Sequence, residues 1–389
     1  MAINESVNPE YHQALVKRSV QSILRNQETN GAIVASPDFQ QYRFCWLRDG
    51  SFSALALDLA GEHEAAARYH SWVSTAVNRI GGVIDDVVAG RARGESVDPF
   101  KMPPARFTLD GSVVIDGWPN FQIDGYGTWL WSLGEHLGND GADALDGMRD
   151  SVARVARYLK SFALSPCYDV WEESGTALHT STLASVYAGL VTAARLLEEP
   201  ELLDSASQVK NVLASHASRL GHYVKSSEND GVDASALWLG APFHVVAPDD
   251  PHFEATVSLI EDRLLFEGGV RRYSTDTYFG SGAWPVLTAS LGWHYAEIGD
   301  VARAQQYLDW VGDHFDERGW LGEQFGGEIR DPRHYAEWVE RWGPPAADLT
   351  WSHAMYVILS EVLDECQDVS NGEVAAASMA PATDGEVSP

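Results

Sequence analysis

Apolar residues recur at intervals of three and four along most of this chain, which predicts a succession of amphipathic helices and no strand-rich region. The spacing predicts a helix over 9–26, where Tyr11, Leu15, Ile23 and Leu24 share one stripe. A second runs from Asp49 through Phe52, Leu55 and Leu59 and stops at Gly61, a residue suited to a helix C-terminus. A third starts at Glu62 and carries Ala66, Tyr69, Trp72 and Val73, so the pair forms a helical hairpin. Helical pattern resumes at Ile123 and returns over 141–163, 178–198, 201–219, 253–266, 281–298, 300–315 and 349–366. Two long stretches break it: 82–120, and the region around Glu323 that Pro332, Pro344 and Pro345 punctuate. A loop of such length inside a compact domain is functional or disordered, and Phe100, Arg106, Phe107 and Trp118 favour function for the first.

The hairpins echo one another. Gly61-Glu62, Ala66, Tyr69 and Trp72-Val73 recur in register as Gly299-Asp300, Ala304, Tyr307 and Trp310-Val311, and Trp46 recurs as Trp284. Consecutive hairpins without strands predict an all-α toroid in which inner helices alternate with outer ones and the loops of one rim build a site. The folded domain is expected over 1–366. The tail from Gln367 to Pro389, rich in Ala, Ser, Pro and acidic residues, is expected to be disordered.

Composition narrows the functions. Hydrophobic residues make up 45% of 389, enough for a large core. A net charge of −29 opposes binding to nucleic acid or an anionic membrane, both of which need a basic footprint. Cys45, Cys167 and Cys366 are odd in number and widely spaced, which suits free thiols in a reducing compartment. The first residues lack a signal-peptide pattern and no apolar run of spanning length follows, so a cytoplasmic protein is expected. Fourteen Trp and fourteen Tyr supply flat apolar faces with polar edges, suited to sugar rings as well as to cores.

Nucleotide-binding loops, paired Cys-x-x-Cys and His-Glu-x-x-His are absent, and His63 and His70 are too far apart to place ligands on adjacent turns, so no metal or cofactor is expected. The chemistry falls to carboxylates. Trp171-Glu172-Glu173 lies between helical segments, and Glu323 lies in Leu321-Gly322-Glu323-Gln324-Phe325, where glycines let the backbone approach a ligand. Two distant Glu loops meeting over one cleft supply an acid and a base for cleavage between sugars.

Several blocks occur in a definite order: Phe44-Cys45-Trp46-Leu47-Arg48-Asp49, Tyr168-Asp169-Val170-Trp171-Glu172-Glu173, Arg272-Tyr273 with Tyr278 and Trp284, the Glu323 block, and Leu349-Thr350-Trp351-Ser352-His353. Together they resemble glycoside hydrolase family 15, the glucoamylase family, over 10–366. The resemblance implies an (α/α)6 barrel, here without the N-terminal β-sandwich domain of many bacterial relatives. It implies Glu172 as general acid and Glu323 as general base. It places Arg48, Asp49 and Arg272 on the terminal glucose, Trp171 and Glu173 beside the acid, and Tyr278, Trp284 and Trp351 as aromatic walls. Trp118, Gln122 and Asp124 fall where the family has further pocket residues.

The expected activity is inverting, exo-acting hydrolysis of short α-glucosides, α-1,6-linked first, with α,α-trehalase and α-1,4 glucoamylase activity as alternatives. Inversion places the two carboxyl groups about 6.5–9.5 Å apart, with Glu172 protonated and Glu323 ionised near neutral pH. A non-catalytic carbohydrate-sensing barrel is the reading from another class. The expected partner is a small oligosaccharide; the sequence does not determine the oligomeric state.

Overall fold

The computed structural model describes residues 9–378 apart from 115, 139–144 and 146. The predicted stripes form helices near their expected limits: α1 (Pro9–Arg25), α2 (Leu47–Leu59), α3 (His63–Arg79), α5 (Asp124–Leu137), α6 (Arg149–Phe162), α7 (Thr180–Leu197), α8 (Leu202–Ser218), α9 (Pro251–Leu264), α10 (Pro285–Glu297) and α11 (Val301–Gly312). Residues 141–144 of the expected 141–163 helix lie outside the described residues. The stretch expected to be irregular from 82 opens instead with a helix, α4 (Gly81–Ala92). Its stripe of Ile84, Val87 and Val88 packs on the core, but glycines at both ends hide it from a reading by propensity. Two more helices, α12 (Gly327–Arg330) and α13 (Pro332–Trp342), occupy the second loop region. The last helix, α14 (Thr350–Ser378), continues past the expected end at 366; the tail beyond lies outside the described residues.

Burial sorts the helices into two layers. Nearly every residue of α2, α5 and α10 is buried, as a helix apolar on all sides requires. By contrast α6 buries Val152, Val155, Leu159 and Phe162 along one stripe and turns Arg157 and Lys160 outward. Contacts close the inner layer into a ring: α2 against α5, α5 against α7, α7 against the 3-10 segment Ala234–Leu239, that segment against α10, α10 against α14, and α14 against α2. Helices α1, α3, α6, α8, α9 and α11 lie outside it, each against an inner neighbour. This is the (α/α)6 barrel, with a fully buried 3-10 segment at one inner position.

The sequence echo is a structural repeat. After α2, Gly61 at φ 82° precedes Glu62, whose N–H donates to the Leu57 carbonyl at 2.8 Å; after α10, Gly299 at φ 79° precedes Asp300, whose N–H donates to Tyr295 at 2.9 Å. Each is the reversal that joins an inner helix to its outer partner. Among the described residues the strands form two short antiparallel pairs, β1 (Cys45–Trp46) with β2 (Arg106–Phe107) and β3 (Leu265–Phe266) with β4 (Gly269–Val270). No helix among them is long and apolar enough to cross a membrane.

Apart from the main core, Phe39, Phe279 and Ala346 form a small separate cluster against which Tyr335, Trp338, Val339 and Trp342 pack. It joins α13 to the barrel, and α13 itself buries no residue.

Helices α5 and α7 cross at Gly127 and Gly189, where a Cβ on Gly127 would lie 2.4 Å from the Ser185 carbonyl oxygen. Gly127→Ala should therefore cost about 1–3 kcal/mol in urea unfolding, the usual penalty of overpacking. Gly82→Ala, where a Cβ meets nothing within 4 Å, is the control and should be neutral or stabilising.

Candidate active site

The inner helices α2, α5, α10 and α14 begin at one rim of the barrel, and a pocket of about 390 Å³ opens there. Arg48 and Asp49 belong to the first turn of α2, Trp284 precedes α10 and Trp351 opens α14, so helix N-termini with their positive dipole ends surround the pocket. Glu172 and Glu323, far apart in sequence, both line it. So do Arg48, Asp49, Trp118, Trp171, Glu173, Arg272, Tyr278, Trp284 and Trp351.

Glu172 lies in a tight turn with φ 66°, a strained conformation for a residue with a side chain. Asp169 builds that turn: its Oδ1 accepts the N–H groups of Trp171 at 3.0 Å and Glu173 at 2.8 Å. Its Oδ2 accepts from Lys225 Nζ at 3.0 Å, and the same ammonium donates to Asp233 at 2.6 Å. Asp233 in turn accepts from Trp171 Nε1 at 2.9 Å. Burial works against the Lys225 charge, but Asp233 and Asp169 outweigh it and hold the ammonium above its ordinary value. The half-buried Glu172 carboxyl is then fixed through Oε1, which accepts from Trp46 Nε1 at 2.7 Å and Gln122 Nε2 at 3.0 Å.

Glu323 reaches the pocket on a loop tied to the barrel by its own N–H, which donates to Ala346 at 2.9 Å. Gly322 fits this loop because a Cβ there would stand 3.2 Å from the same carbonyl oxygen. Gln324 braces the other side, accepting from the Gly282 N–H at 2.9 Å. Glu323 Oε1 accepts from Tyr42 OH at 2.8 Å, and the hydroxyls of Tyr42 and Tyr278 meet at 2.7 Å. Oε2 is buried with no partner in the protein. Burial pushes this carboxyl up to about 8, against the pull of the Tyr42 hydrogen bond and the Arg272 charge. Burial therefore works against the expected ionisation of Glu323 in the ligand-free pocket, since two tyrosines and one arginine do not offset the lost water.

The charged floor is largely neutralised from behind. Arg48 donates to Asp124 at 2.9 Å and pairs with Asp49 at 3.3 Å; burial disfavours its charge, yet Asp124, Asp49 and Glu172 hold it protonated. Burial lifts Asp49 to about 6, with Arg48 opposing and Glu172 reinforcing. Arg272 is locked by Asp276 and pairs with Glu173 at 3.3 Å, its guanidinium 5.2 Å from the Trp171 ring centre and 4.9 Å from that of Tyr278. The indole N–H groups of Trp118, Trp284 and Trp351 are buried without a partner in the protein. Unpaired buried donors around a pocket are what a hydroxyl-rich ligand satisfies.

Gln122 and Asp124 are not part of the lining; they lie behind it, on Glu172 and Arg48 respectively. Their position at the start of α5 puts them one layer deeper than the sequence suggests. Tyr42, which the sequence does not single out, lines the pocket and holds Glu323. Trp338, Arg341 and Trp342 of α13 complete the mouth. Only their alternation with charged residues on a strongly amphipathic segment could have signalled them.

The model of glycosyl hydrolases family 15 matches residues 9–297. Isomaltose glucohydrolase of Kribbella flavida is 39% identical over 356 residues, spanning 90% of this chain and 92% of that protein. A glycosidase variant solved in complex with glucose superposes with a TM-score of 0.87 at 38% identity, covering 91% of this chain and 97% of its own. Glucoamylase from Saccharomycopsis fibuligera, at 16% identity and a TM-score of 0.70 over 94% of this chain and 98% of its own, shares the fold. With the family match extending over most of its length, the chain belongs to glycosyl hydrolases family 15 and is a glycoside hydrolase.

Proposed function

We propose that the protein releases β-glucose from the non-reducing end of short α-1,6-linked glucosides, isomaltose and its oligomers, by single displacement with inversion. The observation that carries the reading is the convergence of Glu172 and Glu323 on one pocket together with Arg48, Asp49 and Arg272. The terminal glucose hydroxyls meet the Arg48–Asp49 pair and Arg272, while the sugar faces lie against Trp171, Trp284 and Tyr278. Glu172, fixed through Oε1, has its other oxygen free to carry the proton given to the leaving glycosidic oxygen. Glu323, fixed by Tyr42, turns the unpartnered Oε2 to the attacking water and removes its proton. A pocket of about 390 Å³ with Trp338 and Trp342 at its mouth favours a short saccharide over a polymer. The α-1,6 preference rests on the 39% identity to an isomaltose glucohydrolase.

A carboxyl raised by burial to about 8 in the free protein is mostly protonated near neutral pH, and it can take a proton only once something donates to its charged form. The attacking water and the bound sugar supply that donation, stabilising the charged form. Activity therefore couples ionisation of Glu323 to occupancy of the pocket.

Isomaltose, trehalose and maltose should be hydrolysed in that order of kcat/KM, with β-glucose as the first anomer seen by proton NMR. Early α-glucose would overturn inversion, a different order would overturn the linkage, and no glucose from any of them would favour a sensing role. Glu172→Gln should lower kcat on isomaltose by about 10²–10⁴-fold while sugar binding, read by tryptophan fluorescence, persists. The acid limb of kcat/KM, which reports the free protein, should lie at higher pH than the acid limb of kcat, which reports the complex.

The same group sets a stability term. Its folded value, about 8, exceeds the ordinary 4.5, so the stability it contributes is complete below about 4.5 and lost as pH rises through about 8. Glu323→Gln, which cannot ionise, should gain Tm relative to the parent as pH rises from 5 to 9; a difference independent of pH would contradict the assignment.

A further inference from the structure

At the opposite rim from the pocket, side chains from three helices converge. Asp58 lies in the last turn of α2, His136 in the last turn of α5, and His70 in α3; their ligand atoms are all within 4.8 Å of one another. His70 is fully buried, and neither of its ring nitrogens has a hydrogen-bond partner in the protein. A buried imidazole with both nitrogens unpaired is rare in native proteins and calls for an explanation by a bound group. The His70 and His136 rings stand 5.0 Å apart, and His136 Nδ1 meets Asp58 Oδ2 at 2.8 Å. From the solvent side, His63 Nδ1 reaches Asp58 Oδ1 at 3.0 Å.

We infer that Asp58, His70 and His136 bind one divalent transition-metal ion of the zinc class, with His63 orienting the Asp58 carboxylate. Two imidazole nitrogens and one carboxylate oxygen suit zinc, cobalt or nickel; calcium and magnesium prefer all-oxygen shells. Water completes the tetrahedron. Bonds of about 2.0–2.1 Å require the three side chains to draw together, which the half-buried Asp58 and His136 achieve by small rotamer changes. The site also fits the barrel's polarity. Helices α2 and α5 point their C-termini here, where a carboxylate is disfavoured and a cation is favoured. The ion would join two inner helices to an outer one, away from Glu172 and Glu323, and act on stability. No motif in the sequence reveals it, because its ligands lie on three separate helices.

The test uses the full-length protein freed of metal by a chelator. Zinc should bind with 1:1 stoichiometry in calorimetry and raise Tm, and cobalt should give the visible absorption bands of a four-coordinate site. Removing even a residue that only orients a ligand costs about 10–100-fold in metal affinity, so His136→Gln, Asp58→Asn and His70→Gln should each lose at least that and abolish the cobalt bands. His244→Gln, on a largely exposed side chain, should change nothing. His70 is deeply buried, so its variant counts only if its circular dichroism matches the parent's; the half-buried Asp58 and His136 carry the test otherwise. Absence of stoichiometric zinc binding by the parent protein, or binding unaltered in both His136→Gln and Asp58→Asn, overturns the inference.

Discussion

A single buried ammonium group underlies the geometry of the pocket. Lys225 Nζ lies between Asp169 and Asp233, and those two carboxylates hold, respectively, the backbone of the Trp171–Glu173 turn and the indole of Trp171. Such a set is all-or-none: losing one member strands a buried charge at a cost of about 3–5 kcal/mol, whereas the intact set adds little net stability. Its contribution is positional. The turn keeps Glu172 at positive φ, a conformation costing about 1–3 kcal/mol that only an over-determined surrounding can maintain. Asp233 immediately precedes the 3-10 segment of the inner ring, so the strain is referred to the barrel wall and not to a loose loop.

Helix direction divides the molecule into two electrostatic ends. The inner helices begin around the pocket, where Asp49, Glu172, Glu173 and Glu323 gather, and end at the rim that holds Asp58 and His136. Acidic groups at helix N-termini are in a favourable field, which partly offsets their crowding in a chain of net charge −29. Crowding and burial still show in the raised carboxyls of Asp49, Glu173 and Glu323. A neutral, hydroxyl-bearing ligand can enter such a site without adding charge to it.

Much of this was legible in the sequence, and the exceptions have physical causes. Periodicity located the inner and outer helices because their burial differs in width, and the Gly61 and Gly299 echoes marked real hairpin reversals. Ordered motifs located Arg48, Asp49, Glu172, Arg272 and Glu323, which tertiary structure does bring to one pocket. Helix α4 was not legible because its flanking glycines resemble loop punctuation. Tyr42 could not be separated from core aromatics, since its hydroxyl finds Glu323 only after residues 281 positions apart have met. Gln122 and Asp124 were placed near the sugar because order in a motif does not distinguish the lining from the layer behind it. The charge state of Glu323 depends on how completely other segments exclude water, and no local pattern encodes that.

The small cluster of Phe39, Phe279 and Ala346 also bears on the pocket. It is a second hydrophobic unit, bridged to the main core by Tyr42 and Tyr278, and α13 adheres to the barrel through it. The Trp338 ring stands 4.9 Å from that of Tyr278, which itself lines the pocket, so the seat of α13 and the pocket wall meet at one pair of rings. Trp338 and Trp342 belong both to that seat and to the pocket lining, so the face that fastens α13 to the barrel is also a wall of the pocket, and a substitution there alters both at once.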